Sequence, residues 1–128
     1  MSYHFSKVVN MSFEDAVKRV TEVLKTEGFG VLTEIDVKAT LKKKLDVDFR
    51  DYRILGACNP EFAYQALQKE EKIGAMLPCN VIVQVNTQGL VEVSAVDPIV
   101  SMAGVQNIEL GEIAIQVQDK LKNVIEAL

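Results

Sequence analysis

Cys79-Asn80-Val81-Ile82-Val83-Gln84-Val85-Asn86-Thr87-Gln88-Gly89-Leu90-Val91-Glu92-Val93-Ser94-Ala95-Val96-Asp97-Pro98 holds two β-branched runs, Cys79 to Val85 and Leu90 to Val96. They flank Asn86-Thr87-Gln88-Gly89, and asparagine and glycine between two such runs signal a hairpin. Asp97-Pro98 ends the second run, because proline has no N–H to give to a ladder. The rest of the chain is arranged around this antiparallel pair.

Upstream, Tyr3 to Val9 reads as a strand with Tyr3, Phe5 and Val9 on one face. Ser12, with Asp15 three residues on, opens a helix whose Ala16, Val17, Val20, Val23 and Leu24 make one apolar stripe. Gly28 ends it, since glycine takes a left-handed cap without steric cost. Phe29 to Ile35 is a second strand, with Phe29 and Val31 inward and Ile35 a candidate third inward residue. Asp36 caps a short helix carrying Val37, Leu41 and Leu45 at helical spacing. Its Lys42-Lys43-Lys44 run falls in the last turn, where the helix dipole favours cations, so a solvated face explains it without a partner.

Tyr52 to Cys58 alternates as a third strand. Asn59 and Pro60 then suit the N-cap and first position of a helix with Phe62, Ala63, Ala66 and Leu67 on one face. Glu70 to Pro78 is a connector, and Ile99 to Asn107 is an apolar one containing Met102 and Gly104. The last helix has Leu110, Ile113, Ala114, Val117, Leu121, Val124, Ile125 and Leu128 on a stripe, with Gly111 weakening its first turn. The order β-α-β-α-β-α-β-β-α predicts a single α+β domain over residues 1–128, with helices on one face of a mainly antiparallel sheet.

A chain of 128 residues can bury a core without staples. Its net charge of −4 argues against a nucleic-acid module, whose footprint is basic. No stretch approaches the roughly 18 apolar residues of a membrane span, and the first residues lack a signal-peptide apolar run. The expected setting is the cytoplasm, with no membrane and no nucleic acid as partner. Thiols there stay reduced unless they are working ones.

The chemistry must run through two cysteines and one histidine. Cys58-Asn59-Pro60 and Pro78-Cys79-Asn80 are matched Cys-Asn corners where a strand meets a turn. Cys58 precedes a predicted helix N-terminus, whose field lowers a thiol's pKa. Equally, both cysteines read as small apolar fillers, and no Cys-x-x-Cys pair is present. If the strands after Tyr52 and Cys79 run parallel, the thiols lie at opposite sheet ends. The connector Glu71 to Pro78 spans up to ~26 Å at ~3.3 Å per residue, enough to make those strands antiparallel and bring the thiols together.

Met76 and Met102 would then add thioethers, a donor set suited to Cu(I), while zinc would need a fuller Cys/His set. Ordinary core packing is the plainer explanation of both methionines, since methionine fills gaps readily. Glu34 and Asp36, two apart, share a strand face as a potential carboxylate pair, though Asp36 also reads as a helix cap and Asp97 as a turn former. Phosphate loops, nucleophile elbows and zincin motifs do not occur.

Gly28 to Leu41, Ile54-Leu55-Gly56-Ala57-Cys58-Asn59-Pro60, Ala75-Met76-Leu77-Pro78-Cys79-Asn80-Val81 and Val96-Asp97-Pro98 together resemble the domain-of-unknown-function 302 family, in order and over essentially the whole chain. The resemblance implies a two-layer sandwich of TATA-binding-protein-like topology, assembled as a homodimer, with no activity attached. It marks Asp36, Lys38, Cys58, Asn59, Pro60, Cys79, Asn80, Asp97 and Pro98 as positions to inspect. The β-branched content of residues 79–96 also suggests a strand edge or sheet face wanting cover by a second copy. The functional expectation is a small dimeric binding or accessory domain, its pocket at the two Cys-Asn corners, for a small molecule or a soft metal ion on Cys58 and Cys79. The alternatives are a thiol enzyme or redox protein using Cys58, and a structural dimer without ligand.

Overall fold

The computed structural model describes residues 2–128. Its elements are β1 (His4–Val8), α1 (Phe13–Thr26), β2 (Gly30–Asp36), α2 (Val37–Leu45), β3 (Tyr52–Cys58), α3 (Pro60–Lys69), β4 (Cys79–Val85), β5 (Val91–Val96), α4 (Pro98–Met102) and α5 (Gly111–Glu126). The five strands form one antiparallel sheet in the order β1-β5-β4-β3-β2. Helices α1, α3 and α5 pack on one face, giving a two-layer α+β sandwich.

Alternation along the strands sends Leu55, Val81, Val83, Val93 and Ala95 to the helix side, each 0% exposed. Val20 and Leu24 of α1 and Leu121 and Val124 of α5 meet them, also at 0%. Each such valine or leucine contributes about 1.5–3 kcal/mol through burial, so this layer rather than any turn motif holds the fold. Ser12 caps α1 as its position predicts, its Oγ accepting the N–H of Asp15 at 3.1 Å. Gly28 follows α1 at φ +85°, the conformation its sequence position anticipates.

Five expectations are corrected. Strand β2 carries a bulge at Leu32, between the pairs Val31–Ala57 and Thr33–Gly56. The extra residue flips alternation beyond it, so Ile35 is 47% exposed while Glu34 and Asp36 turn towards the helices. In α2 no residue is buried and Leu45 is 66% exposed. That helix lies against β2 and β3 and meets no second layer, and its Lys42 is spent on Asp46 and Asp48.

Tyr3 lies outside β1 and is 64% exposed. Ile99 to Asn107 is not a plain connector, since Pro98–Met102 form α4 and a 3-10 turn follows. Strands β4 and β5 are paired on both sides and leave no edge to cover, the edges belonging to β1 and β2; Val81, Val83 and Val93 serve the core while Ile82 lies on the face opposite the helices. No helix is long and apolar enough to cross a membrane among the described residues.

Candidate functional site

The connector after α3 decides where the thiols go. It contains a 3-10 turn, Ile73–Met76, anchored by Ile73 at 1% exposure. The chain thereby returns to the end of β3 that carries Cys58, and β4 starts there antiparallel, with Cys79 opposite Ala57. Both thiols, free and unpaired, line one cavity of about 250 Å³ between that sheet end and helices α3 and α5. Its walls include Phe29, Ala57, Phe62, Ala63, Ala66, Leu77, Met102, Ile113 and Val117, and it reaches the surface beside the bulged Leu32, 69% exposed.

Apart from the thiols, Asn59 is the one polar side chain in the lining, and no acid, base or histidine joins it. Cys79 is 8% exposed, and burial, with the charge of Cys58 adding to it, pushes its thiol up to about 11. At neutral pH it is therefore an uncharged wall group rather than a thiolate.

Asn59 starts α3 but makes no side-chain cap bond. Its Nδ2 instead donates to the carbonyl of Glu27 at 3.2 Å, tying the start of α3 to the end of α1. A β-carbon on Gly28 would lie 3.1 Å from that nitrogen, so the glycine provides both the left-handed turn and the seat. Pro60 faces a shallow surface groove with Glu61 and Lys120, on the outer side of Asn59.

Asp97, 8% exposed, accepts the N–H of Ile99 at 3.0 Å and two bonds from Gln118 Nε2, at 3.1 and 3.2 Å. It caps α4 and fixes it to α5, and α4 delivers Met102 to the cavity wall. Asp97 thus positions the site without entering it. Pro98, fully buried, is the first residue of α4.

The remaining candidates lie elsewhere. Asn80 follows Cys79 in a strand, so it points to the opposite, helix-free face. Asp36 and Lys38 sit at the far end of β2 and β3 from Cys58. There Asp36 caps α2, accepting the N–H of Ala39 at 2.9 Å, and Lys38 pairs with Asp51 at 3.4 Å. Glu34 and Asp36 are not a free carboxylate pair: Arg53 reaches Glu34 at 3.1 Å, Glu14 at 3.1 Å and Asp36 at 3.7 Å.

Met76 is 41% exposed on the connector and does not line the cavity. Among the described residues no three His, Cys, Asp or Glu side chains gather as a metal cage. Cys58, Cys79 and Met102 are the soft donors that line the same cavity.

Residues 5–128 match the family model described as "Domain of unknown function DUF302". The chain belongs to the DUF302 family. A crystal structure of an uncharacterized conserved DUF302 protein from Bacillus stearothermophilus superposes with a TM-score of 0.91 at 28% identity, covering 98% of each chain. No curated protein matches the sequence. For this DUF302 domain, then, the shared property is the fold, and function has to be argued from the cavity. Sequence reading missed Phe29, Leu32, Phe62, Leu77, Ile113 and Val117 as its walls. The available signal was Ala63 and Ala66 on one face of α3, small residues that leave a void where larger ones would close it.

Proposed function

We propose that this DUF302 domain is a binding or accessory module whose cavity at the Cys58–Cys79 end of the sheet takes a small, mainly apolar ligand. The observation that carries this reading is the wall chemistry: carbon and sulfur almost throughout, one amide at Asn59, and an exit beside Leu32. An apolar cavity of about 150 Å³ already suffices for benzene. A titration with benzene followed by amide NMR tests it. Saturable shifts at Phe29, Phe62 and Val117 that vanish in Ala66→Leu support the reading, and their absence in the native protein rejects it.

A soft metal ion is the second reading, favoured by three sulfur-bearing residues, Cys58, Cys79 and Met102, in the lining of one cavity. Binding would displace the Cys79 proton, so affinity for Cu(I) should rise with pH. Competition titration should give stoichiometric Cu(I) that Cys79→Ala abolishes and Met76→Ala leaves intact. Cys58 as the reactive sulfur of an enzyme has less support, because no base lines the cavity. We further infer a cytoplasmic homodimer. Two free thiols suit a reducing compartment, and the exposed Leu32 and Ile35 on edge strand β2 offer a second copy an apolar margin.

A further inference from the structure

The sheet face opposite α1, α3 and α5 carries a second cavity, of about 410 Å³, lined by no helix residue and separated from the thiols by the thickness of the sheet. Its walls mix polar and apolar groups where those of the first are almost wholly apolar, and two of its charges lack protein partners. Arg50 makes no ion pair among the described residues, whereas Arg53, three positions on, has three carboxylates. Yet Arg50 is held in place. Its Nε donates to Gln84 Oε1 at 3.2 Å, and its guanidinium lies 4.4 Å from the centroid of Phe49 and 5.7 Å from that of Tyr52. Stacking plus a bond at Nε leaves both Nη groups as a fixed fork, the geometry that matches a carboxylate.

Glu92 stands directly across the β4–β5 ladder from Gln84 and lines the same cavity. It too has no ion pair among the described residues, so the two opposite charges flank Gln84 without meeting. Beside them His4 Nδ1 and Ser6 Oγ lie 2.7 Å apart, and Ser6 Oγ and Ser94 Oγ 2.6 Å apart, with Ser94 only 9% exposed. That chain adds hydroxyl and imidazole groups able to donate or accept. We propose that this face binds a small zwitterion of the α-amino-acid class, its carboxylate on Arg50 and its ammonium on Glu92, with the Ser6–Ser94 pair meeting polar atoms of the remainder. The short span between the two charges of an amino acid suits a pair of residues that flank one side chain. The volume falls in the range of small-molecule sites. This site is independent of the thiol cavity.

The test is a titration of the full chain with each standard α-amino acid, and with acetate and ethylammonium as single-charge probes, followed by amide NMR. The expected result is saturable shifts at Tyr52, Gln84, Glu92 and Ser94 with at least one amino acid, and binding of either single-charge probe weaker by about tenfold or more. Arg50→Gln and Glu92→Gln should each weaken that amino acid by about tenfold while leaving the remaining amide spectrum native, and Arg50→Lys should restore only part of the loss. Met76→Ala, at an exposed residue that lines neither cavity, should leave the amino-acid titration unchanged. Acetate binding as tightly as the amino acid, shifts confined to Lys42–Lys44, or no saturable shift with any of the probes would each overturn the assignment.

Discussion

A β-carbon added at Gly56 would collide with Thr33 Oγ1 and sit 2.8 Å from Pro78 Cγ. Gly56→Ala should therefore destabilise the protein by about 1–3 kcal/mol in urea unfolding, the usual cost of overpacking. Gly74→Ala, where nothing lies within 4 Å, should stay within about 0.5 kcal/mol. Cys79 supplies a pH signature. Its folded thiol, at about 11, is raised above the ordinary 9.0, so the unfolded chain gives up this proton first as pH rises. Stability from this group is complete below pH 9 and is lost between 9 and 11, by about 3 kcal/mol. Lysines and tyrosines titrate nearby, so the measurement is the difference between the native chain and Cys79→Ala under reductant. Parallel curves from pH 8 to 11 would show that the thiol is not held protonated.

Among the elements, α5 gives the sharpest contrast. Leu121, 0% exposed, packs inside the two layers, and Leu121→Ala should cost about 2–5 kcal/mol. Val117 faces a void that already exists, so Val117→Ala should cost only about 1 kcal/mol. Gln116→Ala, on the exposed side, should be silent by the same chemical denaturation. Equal costs at Leu121 and Gln116 would contradict this packing. Helix stripes were legible in the sequence because burial imposes their spacing: the α5 residues Ile113 to Ile125 and the α1 residues Ala16 to Leu24 are buried where the pattern places them. The bulge was not, since an extra residue at Leu32 leaves no trace in a period-two pattern and turned Ile35 outwards. Matched Cys-Asn motifs also misled at Asn80, where plain alternation from Cys79 gives the right face. The cavity was invisible for a different reason: hydropathy reports which residues go inside, not whether their volumes fill the space.

For the whole molecule, light scattering at micromolar concentration should give about twice the 14.2 kDa chain mass. A monomer mass across a wide dilution range would remove the homodimer. Such a result would leave both cavities standing, because every wall residue of each comes from one chain. The strand order has a further consequence, in the timing of synthesis. Strands β2 to β5 each pair with their neighbour in sequence, but β1 pairs only with β5, and Ser6 meets Ser94 across 88 positions. At about 5–20 residues per second, a ribosome leaves β1 waiting on the order of ten seconds for its partner to be made. The first strand to emerge is thus the last to dock. His4 and Ser6 join Ser94 and Glu92 only at that step, and Met102, Ile113 and Val117 are made later still, so a nascent chain can hold every wall residue of the polar face while the thiol cavity is still incomplete.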